Sequence, residues 1–155
     1  MGPEHRRFLN VQLAVSALLN AAISALFVWI VFGGRALVPL WGARGLAIDL
    51  VPTTFMITLM TAIALTLATR AAVRSGRLPR LDRRRRLPRP VLLRAPLLAL
   101  AFTLALVPLS ALLLSLVWTG DWSYRAVMAF KIAYGVGLGF LVTPVVVRAV
   151  LADRD

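Results

Sequence analysis

Four long apolar segments constrain the fold of this chain more than any other feature of its sequence. The first of them, 11–32, runs for twenty-two residues without a charge. As a helix it would rise about 33 Å, which is enough to cross a hydrocarbon core of about 30 Å. With three further apolar segments, it predicts an all-α integral membrane protein of four transmembrane helices, arranged as two helical hairpins that form a bundle. The predicted spans are 9–32, 48–69, 95–119 and 125–150.

The composition agrees with a membrane domain and not with a soluble one. Hydrophobic residues make up 60% of the 155 residues, and charged residues only 15%. The net charge of +12 does not indicate a nucleic-acid-binding protein, because such proteins distribute basic residues along folded elements among aromatic and polar groups. Here the basic residues concentrate in one loop and at the ends of the apolar segments. We therefore treat 1–155 as a single membrane domain and expect no nucleic-acid partner.

An arginine-rich loop, 70–94, determines the expected orientation. It holds ten of the seventeen arginines and one acidic residue, Asp82. Because cytoplasmic loops of membrane proteins carry the excess of Lys and Arg, we expect this loop and both termini to be cytoplasmic, and the connections around Trp41 and Trp122 to lie on the other side. The pattern resembles small bacterial proteins of the cytoplasmic (inner) membrane, which is the expected location. No motif ties the chain to a named family.

A run of four arginines within this loop is interpreted as a contact surface. Juxtamembrane arginines gain about 1 kcal/mol each near an anionic leaflet. We therefore expect the run to bind anionic lipid head groups, and the alternative is an acidic protein partner. The run consists of Arg83, Arg84, Arg85 and Arg86.

Lys131 is the only charged residue inside the apolar part of the fourth span. A lysine at the centre of a bilayer costs about 2.5 to 3.5 kcal/mol, so one that stays there usually has a function. Lys131 comes six residues after Arg125, however, and lies on the order of 9 Å below the interface, within reach of a snorkelling side chain. We favour snorkelling or a structural role. The functional alternative is a pair with Asp49, because the second and fourth spans run in the same direction and place both residues in the same half of the membrane.

Asn20 and Tyr134 complete a predicted intramembrane polar site with Lys131 and Asp49. Asn20 is the only amide near the centre of a span, and it belongs to a stripe of polar residues at intervals of four. Polar stripes in membrane helices face protein rather than lipid, so they hydrogen-bond across the bundle, as we favour, or line a water-filled pathway. The first stripe is Gln12, Ser16, Asn20 and Ser24, and a second one is Thr54, Thr58, Thr61 and Thr69.

Gly135 and Gly139 are predicted to be helix-packing residues of the fourth span. They are four residues apart and share one helix face with Lys131 and Thr143. A face without bulky side chains permits a neighbouring helix to approach closely.

Signals for catalysis are scarce. The chain has no cysteine, and its one histidine, His5, belongs to the N-terminal tail. We therefore expect no metal site, no cofactor and no enzyme activity. The favoured function is that of a non-enzymatic structural or accessory membrane protein, and the alternative is a small oligomeric channel or transporter for an ion or small solute. The expected partners are the lipid bilayer and either further copies of the chain or a larger membrane complex.

Overall fold

The structure, a computed structural model, describes residues 2–79, 88, 90–117 and 120–153, and within these ranges four helices are long and apolar enough to cross a membrane. This confirms the predicted all-α membrane protein with four transmembrane helices. Most helix ends extend beyond the predicted spans, because hydropathy marks only the residues inside the hydrocarbon, whereas the helical hydrogen bonds continue through flanking polar residues. The helices are α1 (Pro3–Phe32), α2 (Leu46–Arg74), α3 (Val91–Val117) and α4 (Tyr124–Leu151).

The arginine-rich connection is shorter than its sequence suggests. Arg70 and Arg74 belong to the last two turns of α2, and Arg94 belongs to the first turn of α3. The connection between the two helices therefore comprises 75–90 rather than 70–94. Three arginines that were expected in a loop are instead carried on helices.

Local sequence signals determine where the helices begin. α1 begins at Pro3, whose missing N–H is not needed in a first helical turn. α4 follows Ser123, whose hydroxyl accepts a hydrogen bond from the backbone N–H of Ala126. α2 follows Gly45 and carries Asp49 in its first turn, where a carboxylate is stabilised by the positive end of the helix dipole.

Two short strands join the helix connections at one end of the bundle. β1 (Leu37–Val38) lies between α1 and α2, β2 (Trp122–Ser123) lies between α3 and α4, and the two strands pair antiparallel. The N-terminal ends of α2 and α4 therefore meet at this end, which we call the strand end. The opposite end, which carries the connection between α2 and α3, is called the loop end.

The helices pack in the order α1, α4, α2, α3. α4 packs against both α1 and α2, and α3 packs mainly against α2. Half of the most apolar stretch of α2 and of α4 is buried (50% each), compared with 28% in α1 and 22% in α3. The two central helices are therefore α2 and α4. Neither α1 with α2 nor α3 with α4 is a main packing pair. The N-terminal and C-terminal halves therefore meet through three contacts, of which that of α1 with α4 is the most extensive and that of α2 with α4 the least.

Two clusters of buried apolar side chains lie at opposite ends of the bundle. The cluster at the strand end includes Val28, Phe32, Leu46, Trp122 and Val127. The cluster at the loop end includes Leu65, Leu98, Val142, Val146 and Val150. Polar side chains are also buried along the whole length of the bundle. They include Lys131 towards the strand end, Asn20, Ser24 and Thr58 in the middle, and Thr69 and Arg94 towards the loop end.

Candidate functional site

Lys131 and Asp49 form a charged pair near the strand end. The Nζ of Lys131 donates hydrogen bonds to the carboxylate of Asp49 and, at 2.5 Å, to the hydroxyl of Thr53. The Lys131 side chain is 0% exposed and that of Asp49 is 11% exposed. The snorkelling interpretation is therefore wrong, because a carboxylate on the neighbouring helix lies within reach and the ammonium pairs with it instead of reaching water. The alternative pairing with Asp49 is confirmed.

Helix periodicity brings the partners of Lys131 together. Asp49 and Thr53 are four residues apart on α2 and share one face, and the Thr53 hydroxyl lies 3.5 Å from the Asp49 carboxylate. The parallel course of α2 and α4 then places Lys131 opposite them. An ammonium, a carboxylate and a hydroxyl thus form one network in which the two charges balance.

Tyr134 lies beside this network, about one turn further along α4. Its hydroxyl is 2.7 Å from that of Thr54 on α2. Thr54 donates its single proton to the backbone carbonyl of Leu50, also at 2.7 Å, so Tyr134 is the donor to Thr54. The ring of Phe130 stacks on the Tyr134 ring, with 5.7 Å between centroids and 27° between planes. Tyr134 is thus held by a second polar link between α4 and α2.

Asn20 lies apart from the charged pair, deeper in the bundle. Its side chain is 3% exposed, and its Oδ1 accepts a hydrogen bond of 3.2 Å from the hydroxyl of Thr61. This bond joins α1 to α2. Of the four residues predicted to form one polar site, the structure brings together Lys131, Asp49 and Tyr134 and places Asn20 in a separate contact.

Gly135 and Gly139 lie where α4 meets α1. A Cβ atom added at Gly135 would clash with the hydroxyl of Ser24 and would lie 2.9 Å from the backbone oxygen of Asn20. One added at Gly139 would lie 3.0 Å from the side-chain nitrogen of Asn20, whereas one added at Gly137 would meet nothing within 4 Å. The contact between α1 and α4 therefore has no room for a Cβ at Gly135, is tight at Gly139 and is open at Gly137.

Several buried polar groups on α1, α2 and α4 have no hydrogen-bond partner among the described residues. Each belongs to a side chain that is at least nine-tenths buried, and together they extend along α1, α2 and α4. Inside a membrane a polar group without a hydrogen-bond partner is energetically costly, because no bulk water is present to supply one. They are the side-chain nitrogen of Asn20 and the hydroxyls of Ser24, Thr58, Thr69 and Thr143.

A pocket of about 280 Å³ opens beside Asp49 at the strand end. It lies between the end of α1 and the start of α2, and its lining includes Phe32, Arg35, Arg44 and Ile48. The sequence does not predict this pocket, because its walls come from segments on both sides of β1. The available signal was the pair of arginines flanking Trp41 in a connection with few other charges.

A second group of charged side chains, which the sequence does not predict either, lies at the loop end. Arg94 is 0% exposed and its guanidinium donates to Asp153 at 2.6 Å and, from Nε, to the backbone oxygen of Pro88 at 2.8 Å. The guanidinium of Arg70 lies 3.6 Å from the other oxygen of Asp153. Asp153 thus joins the end of α4 to α2 and α3. From the sequence, both Arg94 and Arg70 are predicted to lie in the arginine-rich loop.

His5 is not part of an exposed tail. Its side chain is 4% exposed, and its Nε2 is 2.9 Å from the backbone oxygen of Pro79, so it forms a buried contact between α1 and the connection after α2.

The arginine run that is predicted to contact lipid or a partner lies outside the described residues. That run is Arg83, Arg84, Arg85 and Arg86.

The side chains that meet at the site limit the chemistry that it can perform. Nowhere in the described ranges do three or more His, Asp or Glu side chains come together in a group that could hold a metal ion. The polar groups that do meet are an ammonium, a carboxylate and hydroxyls, which can join helices or bind and orient a small polar group. Comparison of the chain with protein-family models, with curated proteins and with solved structures gave no match.

Proposed function

We propose that this protein is a non-enzymatic structural or accessory protein of the cytoplasmic (inner) membrane. Both termini and the connection between α2 and α3 are cytoplasmic in this proposal, and the strand end faces the other side. The observation that carries it is that interior polar side chains hydrogen-bond from helix to helix. They hold the bundle together and leave its outer surface to contact lipid or a larger complex.

Cross-helix hydrogen bonds support a cohesive role for the interior. Those from Lys131 to Asp49 and Thr53 and the one between Tyr134 and Thr54 join α4 to α2, and one from Thr61 to Asn20 joins α2 to α1. Interhelical hydrogen bonds in membrane proteins contribute about 0.6 kcal/mol on average and at most about 1.7 kcal/mol. Four candidates for a solute pathway therefore take part in links between helices, namely Lys131, Asp49, Tyr134 and, through its oxygen, Asn20.

The exposed apolar faces of the two outer helices, α1 and α3, are suited to contact lipid or another membrane protein. α1 and α3 each present a broad face of large apolar side chains that the bundle does not cover. Such a face matches lipid chains or the apolar face of another membrane helix. The residues are Leu18, Leu19, Trp29 and Ile30 on α1 and Leu104, Leu112, Leu113 and Leu116 on α3.

The distribution of arginine supports the proposed orientation. Ten of the seventeen arginines fall in 70–94, whereas three lie at the strand end, namely Arg35 and Arg44 in the connection that carries β1 and Arg125 in the first turn of α4. An excess of basic residues marks the cytoplasmic side. Anionic head groups of that leaflet are the proposed ligands of the run 83–86, at about 1 kcal/mol for each arginine near the surface.

The experiment that tests this proposal is a native-mass measurement. The tagged protein, expressed from its own locus, is extracted into polymer nanodiscs without detergent, and its mass and co-purifying proteins are determined. An accessory protein is expected to migrate with other membrane proteins in a complex much larger than the 16.9 kDa chain. Migration as a closed ring of identical copies, with no other protein, would contradict the accessory role.

A small oligomeric channel or transporter is the second candidate. It is favoured by the buried polar groups without hydrogen-bond partners in the described part of α1, α2 and α4, at positions 20, 24, 58, 69 and 143. Flux of protons and of K⁺ into proteoliposomes tests it. Transport along this path is expected to be lost in Asn20→Leu and kept in Gly137→Ala, a change that introduces no contact within 4 Å. Absence of flux in the unmodified protein counts against this candidate.

A further inference from the structure

We propose that the pocket beside Asp49 binds the phosphate of an anionic phospholipid in the leaflet at the strand end. This goes beyond the accessory role, which assigns lipid contact only to the arginine run at the loop end. Three properties of the pocket carry the proposal, namely its net charge, its apolar wall and its position at the ends of membrane-spanning helices.

The charge of the pocket selects an anion. Arg35 and Arg44 line it together with one acid, Asp49, and neither arginine forms an ion pair with a carboxylate in the part of the chain that the structure describes. The charge of Asp49 is already balanced by Lys131. Two guanidinium groups are therefore left to act on a ligand, and their planar forks are well suited to phosphate oxygens.

The guanidinium groups differ in how firmly they are placed. Arg35 is half-buried, and its guanidinium carbon lies 5.8 Å from the centroid of the Phe32 ring, a cation–π contact that orients it at the pocket. Arg44 is exposed and can swing to close over a bound group. One fixed donor and one adaptable donor suit a head group that enters from the side of the bundle.

The wall of the pocket selects an amphiphile over a soluble anion. Val31, Phe32, Ile48 and Pro52 supply the apolar part of its lining. Ile48 and Val31 are also exposed on the outside of the bundle, at 52% and 39%, so the apolar wall continues onto the surface that faces lipid chains. A molecule with a phosphate and an attached hydrocarbon chain satisfies both parts, whereas free phosphate leaves the apolar wall uncovered.

The size and position of the pocket agree with this ligand. Its volume of about 280 Å³ is close to the lower end of the roughly 300–1,000 Å³ of small-molecule sites, so it holds a head group and not a whole lipid. It lies at the C-terminal end of α1 and the N-terminal end of α2, where membrane-spanning helices leave the hydrocarbon. The first turn of α2 adds the positive end of its dipole.

Lipid retention measured by native mass spectrometry tests the proposal. The protein is purified from nanodiscs of equal parts phosphatidylglycerol and phosphatidylcholine, in a background with the run 83–86 changed to glutamine, so that lipid at the loop end does not contribute. The unmodified pocket is expected to retain phosphatidylglycerol in preference to phosphatidylcholine. Arg35→Gln with Arg44→Gln is expected to reduce that retention at least about tenfold, since each charge-assisted hydrogen bond is worth a comparable factor.

Arg125→Gln is the matched control, because Arg125 is an exposed arginine at the same end that does not line the pocket. It is expected to leave retention unchanged. If the double variant does not fold, Arg44→Gln alone changes only an exposed side chain and is expected to show the same loss in smaller degree. Equal retention of the two lipids, equal loss in the control, or displacement of the lipid by millimolar inorganic phosphate would overturn the proposal. None of these outcomes bears on the native mass, which tests the accessory role separately.

Discussion

Lys131 on α4 and Asp49 on α2 are hydrogen-bonded between the two central helices near the strand end, where burial makes each charge costly alone. The pair joins the two central helices near the ends at which both begin. Each charge reduces the energetic cost of burying the other, since an isolated charge in a membrane interior is destabilising by several kcal/mol. The fold therefore depends on the two residues together.

Removing either charge alone is expected to destabilise the bundle. Asp49→Asn leaves the fully buried ammonium of Lys131 without its counter-charge and should cost about 3 to 5 kcal/mol. Lys131→Met should cost less, because Asp49 is 11% exposed and water can solvate part of its carboxylate. Unfolding by denaturant in mild detergent measures both. A smaller loss in Asp49→Asn than in Lys131→Met would contradict this order.

Gly135→Ala is expected to loosen the contact between α1 and α4. Its new methyl group would clash with Ser24 and approach the backbone of Asn20, and overpacking of this kind costs about 1 to 3 kcal/mol. For a chain of this size each 1 kcal/mol lowers the melting temperature by roughly 2 to 4 °C. Gly137→Ala is the control, and it should leave the melting temperature equal or slightly higher, since alanine favours helix over glycine. Equal effects of the two changes would argue against the close approach.

Thr61→Val tests the hydrogen bond that joins α2 to α1. The change removes the donor to the Asn20 oxygen and is expected to cost about 0.6 to 1.7 kcal/mol. Thr103→Val is the matched control, because the Thr103 hydroxyl bonds to a carbonyl of its own helix, that of Ala99, at 2.7 Å. That change should have little effect on chemical denaturation. A loss in Thr103→Val as large as that in Thr61→Val would show that the cross-helix bond has no special role.

Asp153→Asn tests the charged contact at the loop end. Arg94 is fully buried against Asp153, so neutralising the aspartate should destabilise the docked end of α4 by about 3 to 5 kcal/mol. Hydrogen exchange of the last turn of α4 measures this directly. Asp121→Asn, which changes an exposed residue at the other end, is expected to leave the exchange unaltered. Unchanged protection in Asp153→Asn would mean that the ion pair does not hold this segment.

The sequence alone predicted the parts of the fold that depend on local chemistry. Four apolar segments of sufficient length predict four spanning helices, as the 22-residue uncharged run ending at Phe32 illustrates. The partnership of Lys131 with Asp49 was also within reach, because alternate spans run in the same direction and the two residues come at similar depths. Snorkelling was preferred wrongly, since sequence gives the depth of a lysine and not the distance to a carboxylate on another helix.

The remaining features depend on which helix faces which. The contact of α1 with α4 arises from the fit of Gly135 and Gly139 against Ser24 and Asn20, and no hydropathy pattern encodes that choice of partner. Arg94 and Asp153 are 59 residues apart in the chain, so their pairing follows only after α3 and α4 are placed on α2. The pocket with its two arginines was missed for the same reason, because its walls meet only in the folded chain.

The charge-swapped protein, with Asp49→Lys and Lys131→Asp together, tests most directly whether the interior polar residues act as links between helices. The measurement is the free energy of unfolding in mild detergent, compared with that of each single variant. Cohesion by the pair predicts that the double variant regains about half or more of the stability lost in the singles, with some loss remaining because a lysine is unfavourable in the first turn of α2. A double variant as unstable as the sum of the two single variants would contradict it, since the two residues would then act independently and not as a bond between α2 and α4.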